Sequence, residues 1–213
     1  MTDGVGSRIR VLHVITRLDP GGSAENTLLT VAGSDSKRFE TTVAHGPSEG
    51  DGGATARRAR EAGVAFVEIE QLVRPVRPLA DLIATFALWR LMRQGRYQLV
   101  HSHTSKGGLL GRVAALLAGV RVIVHTPHGH VFYGYFGRRV SFLFVLLERW
   151  TAWFTDCIIA LTEADLDDHL RFGVGPRSRF TVIHSGVQFP DLWIWWRRAP
   201  RRAGNWAMGK PMW

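Results

Sequence analysis

Only one cysteine, Cys157, occurs in the 213 residues. A disulfide framework is therefore excluded, and a reducing compartment fits. Cys157 lies in the apolar context DCIIAL and reads as a core thiol. No apolar run approaches the roughly 20 residues that a membrane-crossing helix needs. The longest, near SFLFVLL, is broken by Glu148 and Arg149. The opening MTDGVGSRIRVLHVITRL has no small-residue cleavage site behind its basic residues, so it does not read as a secretory signal. A cytoplasmic protein is expected, with a peripheral position at the inner face of the cytoplasmic membrane left open. No G-x-G-x-x-G occurs, so a dinucleotide fingerprint is absent. No G-x-x-x-x-G-K-[ST] occurs either, which argues against a P-loop kinase or NTPase.

Acidic residues are also scarce. Lys and Arg number 27 against 18 Asp and Glu, a formal charge of +9. Of this, +4 lies in residues 190–213 and the remaining +5 in the body. A basic body suits an anionic partner, whether nucleotide, nucleic acid or membrane surface, although an ordinary solvated surface accounts for the charge equally well. The apolar share, 46%, and the charged share, 21%, are those of a globular protein. The length fits one large domain, or a domain plus a fragment.

The body alternates strand-like and helix-like segments. IRVLHVIT (9–16) is bounded by a Pro-Gly-Gly turn and reads as a buried strand. SAENTLLTVAG (23–33) follows as a helix, with Ser23 as its candidate cap and Glu25 in its first turn. Further strands are expected at 39–46, 64–70, 97–103, 121–126, 156–162 and 180–186. Helices are expected at 54–63, 77–95, 107–120, 141–155 and 163–173. The helix at 77–95 places Leu79, Leu82, Ile83 and Phe86 on one face, an amphipathic stripe. Strands alternating with helices mean βαβ units and a largely parallel sheet, an α/β Rossmann-like fold. Such a sheet binds ligands beyond the carboxyl ends of its strands. Gly21, Gly22, His101, His103, His125, His128, Ser185 and Gly186 all fall at that rim.

After Phe189 the character changes. Residues 190–213 hold five of the eight tryptophans, with four arginines, and have no period or cap logic. This tail reads as an off-frame translation of GC-rich DNA rather than folding sequence; the alternatives are a genuine basic tail and a tryptophan-arginine segment that touches anionic membrane. The expected organisation is therefore one domain over 1–189 and an irregular tail over 190–213.

Three stretches carry chemistry. DPGGSAEN (19–26) joins strand to helix. Its glycines allow close backbone approach, and the helix N-terminus offers N–H groups suited to a phosphate; a purely structural turn is the equal alternative. HSHTSKGG (101–108) contains H-x-H, whose rings face one side of a strand. No third ligand accompanies it in sequence, so no metal is expected. Lys106 reads as a cation beside a helix N-terminus, or as part of an ordinary βα loop. In HTPHGH (125–130), Pro127 stiffens the turn, Gly129 lets the backbone pass close to a ligand, and His128 points into the cleft. An imidazole there can donate to a sugar hydroxyl or hold developing charge. The following HVFYGYFGRRVSFLF (130–144) packs a loop, lines an acceptor pocket, or leans on a membrane face.

Together VITRLDPGGSAEN, HSHTSKGGLLGR, VHTPHGHVFYGYF, LLERWTAWFTDCIIALT and FTVIHSGV resemble the N-terminal half of a family 4 glycosyltransferase of the GT-B fold, over residues 8–189. The resemblance implies two Rossmann-like domains facing a cleft, with the acceptor mostly on the N-terminal one and the nucleotide sugar mostly on the other. It implies retaining transfer from a UDP- or GDP-sugar to a glycan or lipid-linked acceptor in bacterial surface polysaccharide synthesis. No metal and no cofactor beyond the nucleotide sugar is implied. By resemblance, Gly21 and Gly22 approach the donor diphosphate and His128 contacts the transferred sugar. Lys106, His103, Gly129, His130 and Tyr133 are the cleft and acceptor candidates.

The family's donor-side E-x7-E pair lies in the second domain and has no counterpart here. The expectation is a truncated, inactive half or one completed by a separate chain. Three rivals stand beside it: a non-catalytic binding remnant, a GT-B nucleotide-sugar epimerase, and a nucleic-acid or membrane-surface binder driven by net charge. No nucleic-acid partner is expected.

Overall fold

The computed structural model describes residues 8–48, 53–129 and 137–186. Its strands are β1 (Ile9–Ile15), β2 (Phe39–His45), β3 (Ala65–Glu68), β4 (Leu99–His103), β5 (Val122–Thr126), β6 (Cys157–Ala160) and β7 (Phe180–Val182). They form one sheet in the order β3-β2-β1-β4-β5-β6-β7, and every neighbouring pair is parallel. The α-helices are α1 (Gly22–Ala32), α2 (Gly53–Glu61), α3 (Pro78–Gly95), α4 (Ser105–Ala118), α5 (Arg138–Ala152) and α6 (Glu163–Arg171). The α/β Rossmann-like architecture expected from the alternating pattern is therefore present.

β1 lies inside the sheet, third of the seven strands, and is buried on both faces, as a parallel strand covered twice must be. Leu12 and Val14 join Leu88, Met92 and Ala114 in one core cluster. Ile15 faces the other way and packs with Leu28, Val31 and Ala56. A third cluster joins Val145 and Ala152 of α5 to Ile158 and Phe180.

Helix ends follow local chemistry. Thr162 caps α6 by accepting the Asp165 N–H at 3.0 Å. α4 stops at Gly119, whose φ of 69° is the left-handed conformation that glycine tolerates. Ser23, the expected cap of α1, lies inside the helix instead. Gly21 occupies the cap position, and no side chain caps that end. The helix thus starts two residues earlier than a cap at Ser23 would allow.

The stripe on α3 is the larger departure. Leu79, Leu82, Ile83 and Phe86 form an exposed face, while Ala84, Leu88 and Met92 make the buried seam. Amphipathic spacing does not say which of two apolar faces wins. Here the narrower seam, spaced by four, fits between α4 and the sheet.

α4 itself lies close against the strands. A Cβ on Gly108 would stand 2.3 Å from Cε1 of His125, and one on Gly111 would stand 3.2 Å from Cβ of Val14. The paired glycines after Lys106 thus serve helix-to-sheet contact.

Leu88→Ala should destabilise the protein by about 2–5 kcal/mol, while Leu82→Ala, on the exposed stripe, should change stability by no more than about 0.5 kcal/mol. Urea unfolding followed by circular dichroism compares the two.

Candidate functional site

The chain leaves β1 to build β2 and β3 on one side, then returns to β4 on the other. The strand order therefore reverses between β1 and β4. At such a point the loops after the two strands diverge and leave a crevice at their carboxyl ends. A cleft of about 400 Å³ lies there. Thr16 and Arg17 after β1, Ser23 of α1, Lys106 of α4, and His128 with Gly129 after β5 contribute to its wall. A smaller depression of about 270 Å³, near Arg8 and Ser34, is at the opposite end where β1 and β2 begin, away from these residues.

His128 is half-buried and has a φ of 57°; the neighbouring Gly129 has a φ of 94°. Thr104, capping α4, has a φ of 63°. Left-handed backbone is costly for a β-branched residue, and such strain persists where surrounding structure enforces it. Thr104 is tied down by its N–H, which donates to the Thr126 carbonyl at 3.1 Å. Two residues with left-handed backbone thus line the same cleft.

Behind His128 lies a cluster of imidazoles. His13 of β1 is the register partner of His101 of β4. Nδ1 of His13 and Nε2 of His103 share a hydrogen bond of 3.0 Å. Nδ1 of His103 and Nε2 of His128 share another of 2.9 Å. His101 places Nε2 2.8 Å from the Thr126 hydroxyl, and its ring centroid is 4.2 Å from that of His103. Burial holds these rings neutral. It lowers His13 to about 4 and His128 to about 4, the latter opposed by Asp165. Burial, then the neighbouring imidazoles, holds His101 and His103 well below the ordinary value.

The sequence candidates separate in space. His128, Gly129 and Lys106 come together on the cleft wall. His103 is 1% exposed and stands behind His128, so its side chain is not on the wall. Gly21 and Gly22 are exposed at the start of α1, and a Cβ on Gly22 would meet nothing within 4 Å. Lys106 is already paired: its ammonium contacts the Asp81 carboxylate and donates to the Pro75 carbonyl. His125 points away from the cleft, toward Gly108, Arg112 and Glu148. His130 and Tyr133 lie outside the described residues, as does the tail 190–213.

Sequence reading missed His13, Arg17 and Arg74, which also line or back the cleft. The one signal for His13 was an imidazole in the centre of an otherwise apolar strand. His13 supplies in space the third imidazole that H-x-H lacks in sequence. The ligand nitrogens of His13, His101 and His103 all lie within 4.8 Å of one another. The cluster is already tied into a hydrogen-bond network, however. Both nitrogens of His103 and one of His13 are in ring-to-ring hydrogen bonds, and His101 bonds Thr126. A cation would have to break that network.

The buried imidazoles make stability pH-dependent. Their folded values lie below the unfolded value of 6.5, so the unfolded chain takes up protons first as the medium is acidified. Their contribution is present above about 6.5 and is lost toward about 4. Each such ring should cost about 1.4 kcal/mol per pH unit within that window. His169, raised by its contacts with Asp165, works in the opposite sense and is outnumbered. The urea midpoint should fall steadily between pH 6.5 and pH 5, and His13→Phe should flatten the slope.

Comparison with known proteins bears on family and fold. The family model described as a glycosyl transferase 4-like domain matches residues 5–186. The Escherichia coli UDP-Gal:alpha-D-GlcNAc-diphosphoundecaprenol alpha-1,3-galactosyltransferase is 36% identical over 101 residues, covering 47% of this chain and 26% of that protein. A glycosyltransferase from Rickettsia africae superposes with a TM-score of 0.55 at 15% identity, over 84% of this chain and 44% of that one. A UDP-N-acetylglucosamine 2-epimerase from Rickettsia bellii superposes with a TM-score of 0.57 at 13% identity, over 84% of this chain and 45% of that one. These structural likenesses speak for the fold. The chain spans about a quarter of the curated relative and under half of either solved structure. With the family model matched along nearly all of its described length, the chain belongs to the glycosyl transferase 4-like domain family.

Proposed function

We propose that this chain is the acceptor-side domain of a retaining, nucleotide-sugar-dependent glycosyltransferase that builds bacterial surface polysaccharide or a lipid-linked glycan. The observation that carries the reading is His128, held in left-handed backbone on the wall of a cleft at the strand-order reversal. Family membership and the name of the Escherichia coli relative support it.

In this reading the donor is a UDP- or GDP-sugar. The bond from the anomeric carbon to the diphosphate breaks, and a bond to an acceptor hydroxyl forms. Negative charge then grows on the departing diphosphate. The N–H groups at the start of α1, approached over Gly21 and Gly22, oppose that charge. Arg17 and Lys106 on the wall, paired with Asp19 and Asp81, offer N–H donors to the diphosphate. Lys106, clamped by Asp81, is a fixed charge that needs no reorganisation. His128, neutral at physiological pH, hydrogen-bonds a hydroxyl of the transferred sugar. Gly129, His130 and Tyr133 belong to the acceptor side. No metal takes part. The donor-side carboxylates come from a second Rossmann-like domain outside residues 1–189, carried by the same polypeptide or a separate one. Residues 190–213 are not part of the catalytic domain.

A lipid-linked acceptor also calls for a membrane face. Phe142, Leu143, Leu146, Trp150 and Trp153 of α5 and its end are exposed, beside Arg138, Arg139 and Arg149. Aromatic and aliphatic groups mixed with arginine suit the headgroup region of an anionic bilayer. No helix among the described residues is long and apolar enough to cross one. Trp153→Ser with Leu143→Ser should lower co-sedimentation with vesicles of anionic phospholipid several-fold and leave sedimentation with neutral vesicles unchanged.

The decisive assay incubates the protein, together with the second Rossmann-like domain, with radiolabelled UDP- or GDP-sugars and diphospholipid-linked acceptors, with and without EDTA. Transfer that survives EDTA and falls about 10²-fold in His128→Ala supports the reading. Nucleotide released or sugar epimerised without acceptor supports the epimerase instead. Saturable binding of the nucleotide sugar without turnover identifies a non-catalytic half.

A further inference from the structure

Three imidazoles run in a continuous chain from the sheet interior to the cleft. His13 meets His103 through Nδ1 and Nε2, and His103 meets His128 through Nδ1 and Nε2, at 3.0 and 2.9 Å. Each bond holds one proton between two nitrogens. A neutral imidazole carries one N–H and one bare nitrogen. These two conditions leave two arrangements.

In the first, His13 donates from Nδ1 to Nε2 of His103. His103 must then carry its own proton on Nδ1 and donate it to Nε2 of His128. The proton of His128 is left on Nδ1, the nitrogen outside the chain. In the second, His128 donates from Nε2 to Nδ1 of His103, and His103 donates from Nε2 to Nδ1 of His13. Nδ1 of His128 is then bare. Any mixed set would press two N–H groups or two lone pairs together in one of the bonds. Such a mismatch between buried groups costs the full value of an unmade hydrogen bond. The three rings must therefore share one tautomer.

The surroundings favour the neutral state on which this depends. His103 is 1% exposed, His13 is 4% exposed, and His101 lies tilted against both. A proton added to any one ring would sit against the others without a carboxylate in the chain. Among the described residues, the acidic group that acts on His128 at this end of the network is Asp165.

We propose that His13 and His103 are positioning residues that set the tautomer of His128, and so decide whether its free Nδ1 donates to, or accepts from, a hydroxyl of the bound sugar. The proposal rests on the reading of His128 as the sugar-contacting group. It adds two residues that no substrate touches. It also explains why imidazoles, rather than aliphatic side chains, fill the sheet behind the cleft. Leucine or valine there would support the fold equally well but could not orient a proton.

The test is a long-range ¹H–¹⁵N correlation spectrum of the full chain, labelled uniformly with ¹⁵N, at pH 7.5 without ligand. Single His→Gln variants assign the rings. The expected result is three neutral imidazoles with the same tautomer, all protonated on Nδ1 or all on Nε2. A mixed set, or a charged ring among the three, overturns the proposal. His13→Phe keeps the ring volume and removes the far end of the chain. The tautomer ratio of His128 should then shift by on the order of tenfold, the equivalent of about 1.4 kcal/mol. Unchanged His128 shifts in a folded His13→Phe overturn the proposal. Should that variant not fold, the wild-type pattern decides alone. One equivalent of Co²⁺ gives a further check. A tetrahedral cobalt absorption band with loss of the His13 and His103 signals means that the rings close on a cation, which also overturns the chain. No substrate enters these spectra. The tautomer pattern can fail while nucleotide-sugar binding persists, and the reverse, so the two readings fail separately.

Discussion

The cleft depends on one pairing, that of β1 with β4. His13 and His103 are 90 positions apart in the chain, yet this ladder brings their rings into hydrogen-bond contact. The same pairing makes the point at which strand order reverses, so it opens the crevice and furnishes its floor together. The register is demanding. A slip of one residue on β4 would send His101 and His103 into the apolar layer under α3 and α4, and Val100 toward the cleft. The apolar residues flanking each histidine, Leu12 and Val14 on one strand and Val100 on the other, make that slip costly. The buried imidazoles are thus held in place by their hydrophobic neighbours.

The opposite face of the sheet is organised by a different buried polar group. Arg112 is fully buried on α4, donates to the Gly108 carbonyl at 3.0 Å and pairs with Glu148 of α5 at 2.8 Å. Removing two ions from water costs more than their attraction commonly returns, so this pair is better understood as fixing how α5 docks on α4 than as a source of stability. His125 fills the gap left by the missing side chain of Gly108 and lies 4.0 Å from Glu148. The two imidazoles of HTPHG therefore have separate duties. His125 locks the helical layer, and His128, after the turn, reaches the cleft.

Charge at the cleft is also held rather than free. Asp81 at the start of α3 and the Pro75 carbonyl grip the Lys106 ammonium, so a cation sits where α3 and α4 begin. Its field is fixed by this clamp. The glycines beside it, which invite a phosphate-loop interpretation, answer instead to the closeness of α4 and the sheet. Gly21 and Gly22 differ: nothing in the chain crowds Gly22, and the space over it remains open.

Much of this was legible in the amino-acid sequence, for a physical reason. Parallel strands and their crossover helices write themselves as local periodicities, so element order, sheet type and the rim on which ligand residues fall could be read from neighbours a few positions apart. The Pro-His-Gly frame around His128 was legible in the same way, because backbone freedom is a local property. Partnership is not local. Whether the apolar stripe of α3 faced inward depended on what α4 offered it. Whether His103 lined the cleft or stood behind it, and that His13 belonged to the site at all, depended on two strands meeting from opposite ends of a long excursion. The sequence by itself determined which side chains could form a neutral hydrogen-bonded chain. Only the tertiary structure decided their order, because a hydrogen bond between rings requires contact, and contact between distant segments is a property of the packed sheet.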